Sequence, residues 1–257
     1  MKCNRTEVIA VEKNHNWKRS FTILWTGQMV SIFTSAVIQM SIIWYLTDTT
    51  GSAAILSLAT LVGFLPQAIL GPFIGVLIDR YNRRTIMILS DLFIALVTLV
   101  LVIVGFYRNI PIWLIMIVLF ARSVGATFHS PSLQAVTPLI VPKDSLAKSA
   151  GYSQTFESIS QLLSPAVAAI LYGIWDINII LILDVLGAIF AISTILIVII
   201  PTHKKPQIIQ TPNIFREAKE GISVLKKEQG MMDLLVISAL YAVIYMPIGT
   251  LYPLISM

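Results

Sequence analysis

Seven long apolar runs occupy most of this 257-residue chain, and each is long enough to cross a lipid bilayer as a helix. Such a span takes about 20 apolar residues, and only a helix bonds all of its own backbone N–H and C=O groups inside hydrocarbon. We therefore predict an all-α integral membrane protein with seven spans. The predicted spans cover residues 21–46, 53–78, 85–107, 112–136, 146–174, 177–200 and 232–255.

The composition excludes several other classes of protein. Hydrophobic residues make up 56% of the chain and charged residues 12%, about half the charge of an average soluble domain. The net charge of +5 lies in loops between apolar runs, so we expect membrane lipid rather than nucleic acid as the partner. A single cysteine, Cys3, allows no internal disulfide, and no Gly-x-x-x-x-Gly-Lys-Ser/Thr phosphate loop is present. We expect no enzyme activity, no metal and no cofactor.

The basic residues fall almost entirely on one side of the predicted membrane. Of the eighteen Lys and Arg residues, sixteen lie at the N-terminus or in alternate loops, one is Arg108 on the opposite side, and one is Arg122 inside the fourth span. Because short basic loops stay in the cytoplasm, we predict a cytoplasmic N-terminus. Trp44, Trp113 and Trp175 fall at the opposite ends of the spans, where an aromatic belt is expected.

A ten-residue polar run, GVLIDRYNRR, separates the second and third spans. Gly75 is expected to let another helix come close. Asp79 is expected to end the second helix, where its carboxylate can cap the N-terminus of a neighbouring helix. Arg80, Arg83 and Arg84 mark the cytoplasmic side of the membrane.

This run resembles a signature of the major facilitator superfamily, Gly-x-x-x-Asp-Arg-x-Gly-Arg-Arg, which lies between the second and third helices. Five of its six fixed positions match. Asn82 stands where the family has glycine, and asparagine is the next best residue for a left-handed turn. Ordinary positive-inside arginines are an alternative, but they leave the spacing of Gly75 and Asp79 unexplained. The resemblance implies a transporter with alternating access, in which this loop latches the inner side.

Arg122, followed by Gly125, resembles a second signature of the same family, in which an arginine of helix four takes part in proton coupling. A charged residue inside a span is costly, so Arg122 needs a buried acid as its partner. The available acids are Glu157, Asp91 and Asp184. A purely structural ion pair would give the same sequence, and this alternative stays open.

The fifth span matches the spacing of the family's antiporter signature, Gly-x8-Gly-x3-Gly-Pro-x2-Gly-Gly, with small residues in place of the later glycines. Small residues at these intervals let two helices touch, and a proline bends the span, which suits a seam that seals one side of a cavity. Generic small-residue helix packing is the alternative. The matching residues are Gly151, Ser160, Ser164, Pro165, Ala168 and Ala169.

Polar residues of two spans are candidates for lining a substrate cavity. Gln154, Glu157 and Gln161 form a polar face on the fifth span, and Gln39 lies in the first. Glu157 is equally compatible with a solvated position near the cytoplasmic end. His129, at the inner end of the fourth span, is an ionisable residue near neutral pH, although a lone histidine there is more often a hydrogen-bonding residue.

The predicted organisation has four parts: a cytoplasmic N-terminus (1–20), a six-helix bundle (21–200), a cytoplasmic linker with an amphipathic helix (201–231) and a seventh span (232–257). In major facilitator proteins a linker at this point joins two six-helix halves. The resemblance therefore implies one complete half plus the first helix of the second. We expect a fragment or a prematurely ended reading frame.

Several stretches, among them FLPQAILGPFIGVLIDR and ARSVGATFHSPSLQAVTPLIVPKDSLAKSAGYSQ, are similar to the macrolide efflux branch of this superfamily in Gram-positive bacteria. That resemblance implies export of 14- and 15-membered macrolides across a bacterial plasma membrane, driven by the proton gradient, by a monomer when complete. Related exporters often carry Gly-Asp in the first span, whereas Phe33, Thr34 and Ser35 stand here, so a proton-carrying acid must lie elsewhere. Alternatives are another hydrophobic or siderophore-like cargo, or an inactive truncated product.

Overall fold

Six long helices form the part of the protein that the computed structural model describes, which is residues 17–200, 230–234, 236–238 and 240–241. All six are long and apolar enough to cross a membrane, and no strand occurs among these residues. The prediction of an all-α membrane protein is confirmed. The helices are α1 (Trp17–Thr50), α2 (Ala53–Arg80), α3 (Arg83–Tyr107), α4 (Ile112–Ile140), α5 (Leu146–Ile174) and α6 (Ile177–Ile197).

The remaining predicted elements fall largely outside this description. Residues 231–234, 236–238 and 240–241 are helical, at the beginning of the predicted seventh span. The rest of that span and the amphipathic helix of the linker lie outside the described residues, so the seven-span count and the four-part organisation stay predictions.

The turn between α2 and α3 differs from the prediction. Asn82 has φ −70° and ψ 112°, which is extended rather than left-handed, and its side chain accepts a hydrogen bond from the backbone N–H of Arg84 at 3.0 Å. Asparagine thus stands here as the N-cap of α3, a role that it fills as well as serine or aspartate. The α2 helix continues through Asp79 to Arg80, so Asp79 lies within the last turn instead of ending the helix.

The helices pack in an order that differs from their order in the chain. α1 packs against α5 and α6, α6 packs against α3, and α4 packs against α3 and α2. The contact between α1 and α6 is close because both helices place glycines in it. A Cβ atom at Gly27 would overlap Thr194, and one at Gly187 would overlap Thr34. Small residues allow this approach in a membrane, where van der Waals packing holds helices together.

Two apolar clusters occupy the two ends of the bundle. We call one end the basic end, since Lys18, Arg19, Arg80, Arg83 and Arg84 lie there, and the other the aromatic end, which carries Trp44, Trp113 and Trp175. The basic-end cluster includes buried Leu24, Met87, Leu133 and Ile195. The aromatic-end cluster includes buried Ile38, Ile42, Leu101, Ile115 and Leu181. Most of the buried charge lies between these clusters.

Candidate functional site

An ion pair between Arg122 of α4 and Asp184 of α6 lies in the middle of the bundle. The two residues are 6% and 2% exposed, and Nη1 of Arg122 contacts Oδ2 of Asp184 directly. Taking either charge alone into a membrane interior costs several kcal/mol, roughly 3 or more. The pairing offsets much of this cost, because it leaves no net charge in the apolar interior.

Two hydroxyl groups complete the bonding of Asp184. Thr98 of α3 donates to Oδ2 at 2.8 Å and also accepts from Arg122. Ser35 of α1 donates to Oδ1 at 2.7 Å. Four helices therefore meet at one carboxylate, and we call Ser35, Thr98, Arg122 and Asp184 the central layer. Arg122 Nε is buried without a hydrogen-bond partner among the described residues.

Of the three acids that the sequence analysis named as possible partners of Arg122, one pairs with it in the structure. Asp184 pairs with Arg122, whereas Asp91 faces His129 and Glu157 is half-buried on α5. Ser35, one of the three residues of the first span that the sequence analysis found without an acid, donates to the carboxylate of α6. Participation of these residues in proton coupling stays a prediction.

A second buried polar group lies closer to the basic end. Nε2 of His129 is 3.3 Å from Oδ1 of Asp91, and the two residues are 6% and 3% exposed. Gln28 of α1 is 0% exposed, and it follows Leu24 of the basic-end cluster by one helical turn, so its register puts it at the same level. We call Gln28, Asp91 and His129 the basic-end layer.

The two layers share one register. Gln28, Asp91 and His129 are each seven residues from Ser35, Thr98 and Arg122 respectively, which is two helical turns or about 10.5 Å along the helix axis. Gly125 and Ile94 lie between the layers. A Cβ atom at Gly125 would come within 2.6 Å of Ile94 Cγ1, so glycine is what allows α3 and α4 to touch there.

A cavity of about 260 Å³ reaches the central layer from between α1, α2 and α4. Its polar lining consists of Ser35, Gln39, Gln67, Arg122 and Ser123. Gln39 therefore lies where a cavity-lining residue is expected. Gln154, Glu157 and Gln161 do not line this cavity, and the two glutamines are exposed on α5. Contact of these residues with a substrate stays a prediction.

The antiporter-signature residues of α5 divide into two groups. Ser160, Ser164 and Ala168 are 0–4% exposed and form one stripe, and the neighbour that α5 packs against is α1. Gly151 and Ala169 are exposed, Pro165 is half-buried, and a Cβ atom at Gly151 would meet nothing within 4 Å. Three of the six residues thus lie in a helix–helix seam.

The basic loop binds the ends of two other helices. Arg83 Nη1 donates to the carbonyl of Ala135 near the end of α4, and Arg84 Nη2 donates to the carbonyl of Leu196 in α6, both at 2.9 Å. Cations at helix C-termini satisfy free carbonyls and complement the helix dipole. A Cβ atom at Gly75 would meet nothing within 4 Å among the described residues, so close approach of another helix there stays a prediction.

Sequence reasoning missed three members of the two layers, Thr98, Ser35 and Gln28, and it also missed the pairing of His129 with Asp91. A usable signal was present, because Asp91 and Thr98 are seven residues apart in α3, as are His129 and Arg122 in α4. Polar residues at that spacing lie on one face of a helix. Among the described residues, no cluster of three or more His, Cys, Asp or Glu side chains is arranged to hold a metal ion.

Comparison with characterised proteins gives relatives over most of the chain. The chain is 54% identical to Macrolide efflux protein A of Streptococcus pyogenes over 247 residues, which cover 96% of this chain and 61% of that protein. It is 54% identical to Macrolide efflux protein A of Enterococcus faecalis over 207 residues, 80% of this chain and 64% of that protein. The Staphyloferrin A transporter of Staphylococcus aureus is 22% identical over 138 residues, 53% of this chain and 35% of that protein.

The chain thus spans about 61% of the length of its Streptococcus pyogenes relative. The family model described as Major Facilitator Superfamily matches residues 24–257. This range includes most of the first predicted span and all of the others. Together with the six helices that are long and apolar enough to cross a membrane, this match shows a multi-pass membrane protein: the chain belongs to the major facilitator superfamily.

Proposed function

We propose that this chain forms the first half of a proton-driven exporter of macrolide antibiotics. The observation that carries the proposal is the 54% identity to Macrolide efflux protein A of Streptococcus pyogenes, which extends over 96% of the chain. An identity confined to the signature loop would support only the superfamily. A match over nearly the whole chain also spans the residues around the cavity, and a transporter's cargo is decided by such a site rather than by the fold.

The orientation proposed for the protein places the basic end in the cytoplasm of a bacterium. The support is the one-sided distribution of Lys and Arg, since basic residues in short loops resist translocation across the plasma membrane. The cavity then lies between helices near the membrane midplane, as transporter sites do. The remaining helices of a complete transporter would enlarge it.

The central layer suits the coupling step of an antiporter. A proton taken up by the Asp184 carboxylate removes its charge and weakens its attraction for Arg122, whose guanidinium lines the cavity. Since side chains of three other helices donate to this carboxylate, the change alters which arrangement of the helices is favoured. Release of the proton on the cytoplasmic side restores the pair. No cofactor takes part.

The proposed substrates are 14- and 15-membered macrolides. A siderophore-like cargo is the second candidate, because the chain also resembles the Staphyloferrin A transporter of Staphylococcus aureus. That likeness is 22% identity over 53% of the chain, which supports a shared architecture far better than a shared cargo. Macrolide export is therefore the reading that the comparisons favour.

The test is accumulation of labelled erythromycin in a susceptible bacterium. Two proteins are compared: this 257-residue chain, and the same chain completed with the remaining helices of the Streptococcus pyogenes relative. We expect lower accumulation with the completed protein, and a proton uncoupler should restore accumulation. If neither protein lowers accumulation, macrolide export is wrong. Lower accumulation with the short chain alone would mean that it assembles into an active transporter.

Arg122→Ala in the completed protein tests the coupling step. We expect active efflux to be abolished, because Asp184 then lacks its partner and its protonation no longer changes the bonding of α4. Arg108→Ala is the matched control and should leave efflux unchanged, since Arg108 is an exposed arginine at the aromatic end and does not line the cavity. Efflux at the unmodified rate in Arg122→Ala would exclude the role of Arg122.

A further inference from the structure

We propose that Gln28, Asp91 and His129 form a second proton-binding site, in which a bound water molecule joins the three side chains and a proton passes between the basic end and the Arg122–Asp184 pair. The role in transport rests on the function proposed above. The binding of a proton and water at this layer is independent of what the protein exports.

The basic-end layer contains polar atoms that the protein itself does not satisfy. Both amide atoms of Gln28, Oδ2 of Asp91 and Nε2 of His129 are buried without a hydrogen-bond partner among the described residues. The 3.3 Å approach of His129 to Asp91 is close enough for an ion pair but does not have hydrogen-bond geometry. Each such atom costs about 1–3 kcal/mol when left unsatisfied. Buried water commonly makes about three bonds to groups of this kind.

The three side chains reach one level of the bundle from three helices. Gln28 follows Leu24 by four residues, Asp91 follows Met87 by four, and His129 precedes Leu133 by four in the antiparallel α4. Leu24, Met87 and Leu133 are members of one buried cluster. Residues four apart lie on the same face of a helix, so the polar side chains form the next layer above that cluster.

The helices packed around Asp91 and His129 carry few other ionisable side chains. α3 packs against α4 and α6, and α4 packs against α2 and α3. Within the described parts of these helices, the other ionisable side chains between the helix ends are Arg122 and Asp184, which bond to each other. The ionisable residues at the basic end are Asp79, Arg80, Arg83 and Arg84, of which the last two bond to helix carbonyls. α1 contributes Gln28 and no ionisable side chain at this level.

The position of the layer suits a relay. It lies about 10.5 Å from the central layer, on the side of the basic end, and one apolar contact between Gly125 and Ile94 separates the two. A proton released by the Asp184 carboxyl group moves through water to the basic-end layer. There the Asp91 carboxylate or the His129 imidazole accepts it. The proton then leaves to water at the basic end. Only O–H and N–H bonds form and break.

The first test measures protonation directly in the 257-residue chain. The chain has three histidines, His15, His129 and His203. In the variant H15Q/H203Q, produced with isotopically labelled histidine and placed in lipid nanodiscs, His129 is the only labelled ring. Infrared difference spectra are recorded between about pH 5 and pH 8, where histidine normally titrates. We expect the labelled ring band and a carboxyl band to change together with pH, as coupled groups do.

Variants assign the bands and keep the test decisive. In D91N the carboxyl band should disappear and the pH dependence of the ring band should change. D48N removes a carboxylate at the aromatic end, where Asp48 accepts a bond from Tyr172, and should leave both bands unchanged. A ring band that is insensitive to pH, or that keeps its pH dependence in D91N, would overturn the proposal. The H15Q/H203Q measurement leaves the layer intact, so misfolding of D91N does not remove the test.

The second test separates this inference from the function on which its transport role rests. In the completed transporter, D91N and H129Q should reduce proton-driven erythromycin efflux by at least about tenfold. Exchange of erythromycin at equal pH on both sides should stay unchanged. Loss of both activities would indicate a structural role and overturn the relay. If the unmodified transporter exports no macrolide, the proposed function fails, whereas the infrared result still decides whether the layer binds a proton.

Discussion

The central layer and the basic-end layer use the same register of the same helices, yet they are bonded very differently. In the central layer, Asp184 takes bonds from Arg122, Thr98 and Ser35. In the basic-end layer, both amide atoms of Gln28 and one oxygen of Asp91 have no partner among the described residues. The two layers lie only two helical turns apart, so the difference comes from side-chain chemistry and not from depth in the bundle.

This difference indicates two kinds of buried polar site. A carboxylate with three donors, one of them charged, is stable only when all of its partners are present, and breaking the set is costly. In the basic-end layer the proposed water supplies the bonds that protein groups do not, and water rearranges around a neutral replacement at lower cost. The central layer should therefore be sensitive to substitution, and the basic-end layer tolerant of neutral substitutions.

The largest effect is expected from Arg122→Gln. This change leaves the charge of Asp184 buried without its cation and should destabilise the chain by about 3–5 kcal/mol. The double variant Arg122→Gln/Asp184→Asn removes both charges and should recover most of that loss. Thermal unfolding of the purified chain in detergent, followed by circular dichroism, measures both values. A single variant as stable as the double one would mean that the ion pair does not hold the central layer together.

A smaller effect is expected from Gly125→Val, which acts on the contact between the layers. The new side chain would overlap Ile94, since even a Cβ atom comes within 2.6 Å of Ile94 Cγ1. Overpacking of this kind costs about 1–3 kcal/mol. Gly151→Val is the control, because a Cβ atom there meets nothing within 4 Å. Equal unfolding temperatures for the two variants would show that α3 and α4 do not depend on this close approach.

The smallest effects come from a matched pair of neutral substitutions, one in each layer. Ser35→Ala removes a 2.7 Å hydrogen bond to the Asp184 carboxylate and should cost about 1.5 kcal/mol. Gln28→Leu has nearly the same volume, and the amide bonds to no protein group among the described residues, only to the water proposed above, so its loss should cost under about 1 kcal/mol. The same unfolding measurement applies. A larger loss for Gln28→Leu than for Ser35→Ala would reverse the comparison between the layers.

Much of the fold followed from the chain alone, because the apolar runs are long and a bilayer admits few structures. The first six predicted spans coincide with the six helices, with ends that differ by up to four residues. The local pattern was less informative at Asn82, where the family resemblance suggested a left-handed turn. In the structure the Asn82 side chain caps the backbone N–H of Arg84 at the start of α3, and this bond goes with an extended conformation of Asn82.

The site was only partly predictable, for a physical reason. The cost of a charge in a membrane identified Arg122, Asp184 and Asp91 as residues that need partners, but three acids were available and sequence spacing does not rank them. The choice depends on which helices touch, and α6 packs against α1 and α3 although it is last in the described bundle. Thr98 and Ser35 carry no charge, so nothing required partners for them until the packing was known.

The pairing of Arg122 with Asp184 also constrains how the protein is made. The two residues are 62 positions apart, and the ribosome and translocon deliver helices in chain order. α4 must therefore insert with its arginine before α6 and the acid exist. Until then, Thr98 of α3 is the central-layer residue that can bond to Arg122. Ser35 is already present on α1, but its partner is Asp184. Insertion of α6 supplies the carboxylate and packs α6 between α1 and α3, so the packing of α6 and the neutralisation of Arg122 are one event in biogenesis.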